Sequence, residues 1–197
     1  MSLYRILIFL AISIFCYGQE DHLKFDHLTV EDGLSQGTVY AILQDHRGFM
    51  WFGTRFGLNR YDGHEFRQFN NDPNDPNSLP GYRILALLED HEESLWVATE
   101  MGGLARYNLE TENFTCFRHD STDPGSLSSD LTVSLFEDSE QTLWVGTKQG
   151  LNRLDRDKLE FEKYLHIEGD SSSLSSSHIS AIAEISPGVL LIGLGSV

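Results

Sequence analysis

Apolar residues cluster along this chain in short runs that are separated by stretches rich in Asp, Asn, Ser, Gly and Pro. The runs lie at 39–43, 84–88, 133–136 and 179–183. Runs of this length, bounded by turn-forming residues, are typical of β-strands, and only the N-terminus has a sustained helical pattern. The regular return of the runs predicts one supersecondary unit that is used repeatedly.

A tryptophan motif follows each of the first three runs. It reads Trp51-Phe-Gly-Thr, then Trp96-Val-Ala-Thr, then Trp144-Val-Gly-Thr, and a weaker copy, Leu191-Ile-Gly-Leu, closes the sequence. Successive copies are 45, 48 and 47 residues apart. A leucine upstream of each run keeps the same three steps, so the period extends over the whole unit.

Each unit reads as four short strands. The apolar run is the first strand, and its unbroken hydrophobicity predicts burial on both faces. In the first unit we predict the second strand at 50–54 and the third at 58–61, with the fourth at 65–69 after the Asp62-Gly63 hairpin signal. The aromatic pair of the fourth strand is three residues apart, which does not fit one face of a strand and predicts a twist or bulge there.

Ten positions recur with the residue type that a tight turn or close packing requires. The aspartate six residues before each tryptophan is predicted to close a turn, and the glycine after the second strand to reverse the chain. The small residue two positions after the tryptophan suits close approach of two sheets, and the tryptophan is predicted to fill the wedge between them. These structural positions are Trp51, Trp96, Trp144, Gly53, Gly146, Asp45, Asp90, Asp138, Gly57 and Gly150.

Four antiparallel strands per unit predict an all-β fold, a β-propeller of four-stranded antiparallel blades. A parallel β-helix would need shorter coils, and helical repeats would need long amphipathic segments. We expect an incomplete arc of three full blades plus part of a fourth, because a ring needs about four to eight blades. The expected divisions are a signal peptide or anchor at 1–18, a lead-in segment with a first strand at 19–33, blades at 34–78, 79–126 and 127–173, and a partial blade at 174–197.

The motifs resemble the two-component regulator propeller repeat. The resemblance rests on Phe25-Asp-His-Leu-Thr-Val-Glu-Asp-Gly-Leu-Ser-Gln, on 39–45, on Gly48-Phe-Met-Trp-Phe-Gly-Thr and on Gly57-Leu-Asn-Arg-Tyr-Asp-Gly, and it covers the chain from about Phe25 onward. Proteins of this family have two propellers, a β-sandwich, a membrane helix, a histidine kinase core and often a receiver and a DNA-binding domain. None of those later parts is present in this sequence.

The resemblance implies the sensor half of a hybrid two-component system, on the periplasmic side of the inner membrane. It implies an oligosaccharide from glycan breakdown, or another small molecule, as ligand, and the rest of the sensor kinase and a second copy in a homodimer as partners. The residues present would not be an enzyme, although the full-length protein would be a sensor histidine kinase. Two alternatives stay open, a protein-interaction scaffold and a propeller enzyme such as a lyase or glycosidase, because fold does not fix function.

The first eighteen residues have the pattern of an export signal. Arg5 precedes the apolar run 6–15, and Cys16-Tyr-Gly offers small residues for cleavage before Gln19. The run is short for a membrane span. An uncleaved anchor is the next alternative, followed by a lipoprotein acylated at Cys16.

The net charge and the absence of known motifs argue against several classes of function. Thirty acidic against fourteen basic residues give a net charge of −16, which argues against nucleic-acid binding by this region. No zinc-type spacing, nucleophile elbow or phosphate loop is present, so we predict no catalytic residue, no metal and no cofactor. The acidic loop after the first unit fails the EF-hand pattern at Pro76 and reads as turn chemistry. The cluster 89–93 likewise reads as a solvated turn, and Cys116 as a small core or edge residue.

Overall fold

The computed structural model describes residues 24–195, which form four antiparallel sheets in chain order. The first sheet comprises β1 (Val39–Gln44), β2 (Met50–Thr54), β3 (Gly57–Tyr61) and β4 (Phe66–Phe69). The second comprises β5 (Ile84–Glu89), β6 (Leu95–Thr99), β7 (Gly103–Asn108) and β8 (Asn113–Phe117). The third comprises β9 (Thr132–Glu137), β10 (Leu143–Thr147), β11 (Gly150–Asp155) and β12 (Glu160–Tyr164). The fourth has two strands, β13 (Ile179–Ser186) and β14 (Val189–Leu194).

This architecture confirms the predicted fold class, an open arc of three complete propeller blades and part of a fourth. Sequential strands are hydrogen-bonded neighbours within each blade, and the first strand of one blade contacts the first strand of the next. The export signal predicted at 1–18 lies outside the described residues. A single 3₁₀ turn, Val30–Asp32, precedes the first blade.

The strand expected in the lead-in segment is absent from its described part. Residues 24–29 adopt no regular secondary structure, and Phe25 and Leu28 are exposed. A strand needs a partner for its backbone donors and acceptors, and no described strand pairs with this segment.

The first strand of each blade carries a bulge, which corrects the prediction that this strand is buried on both faces. Its pairing with the second strand slips near its start in all four sheets. The residues passed over are Tyr40, Leu85, Val133 and Ser180. A bulge shifts which side chains face which side, so Ile84 and Leu87 pack toward the first blade and Leu88 toward the third. The apolar run is therefore unbroken because it serves two interfaces, and most of its residues are only partly buried.

The fourth strand, in contrast, has no bulge. Phe66 pairs with Tyr61 and Phe69 with Leu58 in unbroken register. The two phenylalanines lie on opposite faces of the strand: Phe69 stacks on Trp51 at 5.7 Å, whereas Phe66 packs against the ring of Tyr61 at 4.7 Å. The spacing of three residues thus supplies an aromatic ring to each face of the blade.

The hydrophobic core lies in the wedges between blades. One cluster joins the first and second blades and contains Trp51, Ile84, Leu95 and Tyr107. A second cluster joins the second and third blades around Trp96, Leu104 and Leu143. Because β6 contributes to both clusters, all five of its residues are buried.

Candidate functional site

The aspartate and tryptophan of each repeat form a clasp. In the second blade one carboxylate oxygen of Asp90 accepts backbone N–H bonds from Glu92 and Ser94, and the other accepts the Trp96 indole N–H at 2.7 Å. Asp45 and Asp138 accept the same set of bonds from their own turns and tryptophans. Each aspartate therefore joins the first turn of its blade to the inter-blade core.

Asp90 has an additional partner from the third blade. Arg156 donates to the buried Asp90 carboxylate at 2.8 Å and to Glu137 at 2.7 Å. Burial disfavours the charge on Asp90, but the hydrogen bonds from Trp96 and Arg156 outweigh this and hold the pKa of Asp90 below its usual range. The pKa of Asp138 is lowered in the same way, by the bonds from Trp144 and Thr142 acting against burial.

The three tryptophans differ in burial, so the prediction that the tryptophan fills the wedge between two sheets is wrong for Trp144. Trp51 and Trp96 are fully buried, whereas Trp144 is only partly buried. Tyr107 of the second blade covers Trp51 at 5.0 Å, but the two-stranded fourth sheet has no third strand to cover Trp144. A cavity of about 440 Å³ lies there instead, lined by Trp144, Tyr164 and Leu165.

The repeated glycines have two different roles. A Cβ on Gly53 would lie 2.6 Å from Ile84 of the next blade, and a Cβ on Gly146 would lie 2.7 Å from Ile179. Gly57 and Gly150 instead have positive φ, 96° and 142°, in the turn between the second and third strands. The N–H of Gly57 also donates to the carbonyl of Tyr82, which ties this turn to the connection between blades.

A latch between neighbouring blades corrects the interpretation of Glu89 as part of a solvated turn. The backbone N–H of His46 donates to one carboxylate oxygen of Glu89 at 2.9 Å, and its ring Nδ1 lies 2.6 Å from the other. His91 makes the same pair of contacts with Glu137. In the third copy the backbone N–H and hydroxyl of Ser139 donate to Glu184. A Glu directly after the second, third and fourth apolar runs was the sequence signal for this contact.

A buried polar pair within the first and third blades was also missed. Asn152 accepts the Ser128 N–H at 2.8 Å and donates to the Ser128 hydroxyl and the Val145 carbonyl. Asn59 and Ser35 form the same pair in the first blade. In the second blade these two positions hold Pro80 and Ala105. Proline has no N–H to satisfy, so both partners change together, and this joint change is visible in the sequence.

One face of the arc combines the turns between second and third strands with the connections between blades. We call it the loop face. At the junction of the first two blades it contains a groove of about 420 Å³ whose walls are Arg55 and Phe56 from one turn, Glu100 and Met101 from the next, and the connection 80–83. Phe56 and Tyr82 are both more than half exposed.

Within residues 24–195, the ionic contacts of the groove leave the guanidinium of Arg55 without a partner. Arg83 pairs with Glu100 at 2.8 Å and lies over the Tyr40 ring at 5.6 Å. Its Nε is buried and has no hydrogen-bond partner among the described residues. Arg55 is exposed and makes no ion pair or side-chain hydrogen bond with any residue of 24–195. This groove combines aromatic faces with directed polar groups, as ligand sites do.

The side chains of the acidic loop between the first and second blades form hydrogen bonds with the backbone of the same loop. Asp72 accepts the Asn74 N–H, Asp75 accepts the Asn77 N–H, and the Ser78 hydroxyl donates to the carbonyls of both aspartates. These are the contacts expected of turn residues. No group of metal-ligating side chains is found within residues 24–195. In the same residues no helix has the length and hydrophobicity needed to cross a bilayer.

Four-stranded blades in chain order, joined by tryptophan wedges and closed by aspartate turns, define a segment of a β-propeller. The family model described as "Two component regulator propeller" matches residues 33–56, 78–101 and 126–149. Each match runs from the connection before a blade to the turn after its second strand. The chain therefore contains three copies of the two-component regulator propeller repeat.

Relatives of known structure point the same way. The chain is similar to the extracellular domain of a protein assigned as a hybrid two-component system of Bacteroides thetaiotaomicron, with 30% identity and a TM-score of 0.79 over 86% of this chain and 24% of that one. A second such extracellular domain from the same organism is 26% identical, with a TM-score of 0.70 over 88% of this chain and 25% of that one.

The chain is also similar in sequence to a protein named as a histidine kinase. Over 79 residues the chain is 38% identical to "Histidine kinase P4" of Formosa agariphila. The match covers 40% of this chain and 6% of that protein. The chain thus spans a quarter or less of the length of these three relatives.

Proposed function

We propose that this chain is part of the extracytoplasmic sensor of a two-component system histidine kinase and that it contributes to ligand detection. The observation that carries the proposal is the similarity, over 86% of the chain, to the extracellular domain of a protein assigned as a hybrid two-component system. The ligand would be a small molecule, in the first place an oligosaccharide from glycan breakdown. The segment would be exported by its N-terminal residues and lie on the periplasmic side of the inner membrane.

In this proposal the blades themselves carry out no chemistry. Ligand binding would change the packing of the sensor against the rest of a homodimeric kinase, as a shift between two existing states. The ligand must therefore bind one of those states more tightly than the other. The kinase activity would belong to parts of the protein outside this chain.

The test uses the protein expressed from its complete coding sequence in membrane vesicles. Autophosphorylation is measured with and without oligosaccharides released enzymatically from a panel of polysaccharides. We expect one class of oligosaccharide to change the rate and the others to leave it unchanged. If no carbohydrate changes phosphorylation but the protein shortens one of the oligosaccharides, the sensor assignment is wrong and an enzyme is the better reading. Capture of a protein partner without any sugar response would favour the scaffold.

A further inference from the structure

The groove between the first two blades departs from the repeat at the positions that line it. Phe56 corresponds to Gln149 in the third blade, and Tyr82 corresponds to Asp130. The same blade geometry therefore forms with polar residues at both positions. Two half-exposed aromatic rings side by side are not needed to build the fold, and exposed apolar patches on a folded domain mark binding sites.

The turn that carries Met101 is also exceptional. It has one residue more than the equivalent turns of the first and third blades, since Glu100, Met101 and Gly102 stand where the others have two residues. Met101 has a φ of 64° and is 76% exposed. The other non-glycine residues with positive φ are Glu93, Gln141, Glu112 and Leu159, and these occur as two equivalent pairs in the turns of the second and third blades. A conformation that is uncommon for non-glycine residues thus holds an apolar side chain beside the two aromatic rings.

The backbone beneath these side chains is tightly packed. A Cβ on Gly81 would lie 2.9 Å from Thr99, and one on Gly102 would lie 2.5 Å from the Pro80 carbonyl. Arg118 also donates to the Pro80 carbonyl at 3.0 Å. The connection and the longer turn therefore lock against each other, which fixes the spacing of the groove walls before any ligand arrives.

Charge selects among ligands that would fit an aromatic groove. Arg55, Arg83 and Glu100 give the groove a formal charge of +1 in a chain of net charge −16. Glu100 already pairs with Arg83, and no side chain of residues 24–195 pairs with Arg55, so its guanidinium can bind an anion. A guanidinium presents a planar fork of donors that matches a carboxylate. Among residues 24–195 the buried Nε of Arg83 also has no hydrogen-bond partner.

We propose that this groove binds a carboxylate-bearing sugar, with the carboxylate on Arg55, a sugar ring against Phe56 and Tyr82, and hydroxyls on the Arg83–Glu100 pair. The assignment deepens the proposed sensor function and rests on it for its choice of sugars over other small anions. It places the ligand across two blades, because Arg55 and Phe56 come from the first blade and Glu100 from the second.

The test is calorimetric titration of the complete protein with a galacturonic acid disaccharide, with the neutral galactose disaccharide and with inorganic sulfate. We expect the acidic disaccharide to bind at least about tenfold more tightly than the neutral one, because a hydrogen bond to a charged group is stronger than one between neutral groups. Sulfate tests the anion alone and should bind more weakly than the acidic disaccharide. Equal affinity for the acidic and neutral sugars, or no binding of either at millimolar concentration, would overturn the proposal.

Matched variants from the third blade control for nonspecific charge and surface effects. Arg55→Gln should weaken the acidic disaccharide about tenfold, whereas Lys148→Gln, at the equivalent position, should not. Phe56→Ala should weaken both sugars, whereas Gln149→Ala should weaken neither. All four side chains are on exposed turns, so folding is not at risk. Identical binding by Arg55→Gln and the unmodified protein would contradict the assignment.

The two proposals fail in different ways. If the acidic disaccharide binds through Arg55 but leaves autophosphorylation unchanged, the groove assignment stands and the sensor function fails. If a sugar changes autophosphorylation equally in Arg55→Gln, Phe56→Ala and the unmodified protein, sensing stands and the groove assignment is wrong.

Discussion

At the scale of single residues, the blades depend on a few buried polar groups that are fully paired. The Asp90 side chain is buried, yet it accepts two backbone N–H bonds, the Trp96 indole N–H and a bond from Arg156. Buried polar groups are stable only when they are paired in this way. The tryptophan is thus held by its polar end as well as by its hydrophobic contacts.

The difference in burial among the tryptophans predicts different costs of truncation. Trp96→Ala should destabilise the chain by roughly 3–5 kcal/mol, because it removes a fully buried aromatic ring and leaves Asp90 without its indole partner. Trp144→Ala should cost clearly less, because Trp144 already borders a cavity. Urea unfolding followed by circular dichroism measures both. Equal losses for the two variants, or no loss for Trp96→Ala, would show that the wedge does not carry the stability assigned to it.

The Ser128–Asn152 pair predicts a coupled effect. Asn152→Ala leaves the Ser128 N–H without its acceptor and should cost about 1–3 kcal/mol. Adding Ser128→Pro removes that N–H, as Pro80 does opposite Ala105 in the second blade, and should recover part of the loss. A double-mutant cycle by urea unfolding measures the coupling. Additive losses would mean that the two sites act independently.

At the scale of elements, the sequence repeat predicted the blades well, but it did not predict the pairing register of the strands within them. The second strand lies at 50–54, as predicted from the Trp motif. It could be predicted because its hydrophobic pattern and its bounding turns depend on residues that are close in sequence. The bulge in the first strand was not predicted, since an unbroken apolar run does not show where its alternation reverses. The latch from His46 to Glu89 joins residues 43 positions apart, and a single sequence reveals such a contact only through its repetition. The groove was missed because its residues do not repeat.

The latch between the first two blades predicts a dependence of stability on pH. The hydrogen bond to Glu89 raises the pKa of His46 above 6.5, against a smaller opposing effect of desolvation, and the charges of Glu93, Glu89 and Asp45 add to the rise. Because the pKa is raised in the folded state, this stabilisation is fully present below the unfolded-state pKa and is lost as pH rises through the folded-state value.

The measurement is the unfolding free energy of the unmodified chain and of His46→Gln, taken from below the unfolded-state pKa of His46 to above its folded-state pKa. Their difference should be largest in mildly acidic solution and should shrink as pH rises above the folded-state pKa of His46. The junction held by Ser139 provides the control, since Ser139→Ala removes the side-chain contact of a latch that has no titrating imidazole, and its effect should not follow the same curve. A difference for His46→Gln that is constant with pH would contradict the assignment.

At the scale of the whole molecule, the arc has two unlike ends. On the first blade Ile42 is exposed, and on the fourth sheet Ile185, Val189 and Leu191 are exposed. At the junction of the first and second blades, and at that of the second and third, the equivalent surfaces are covered by the neighbouring blade and form the two core clusters. Stability should therefore be greatest in the second blade, which has a complete blade on each side.

Sedimentation velocity of residues 19–197 over a range of concentrations distinguishes an open arc from a closed ring. Exposed apolar faces and unpaired strand edges promote association. We predict poor solubility or a sedimentation coefficient that rises with concentration as these ends associate. A compact monomer at every concentration, with a single cooperative melting transition, would contradict the open arc and favour a small closed propeller.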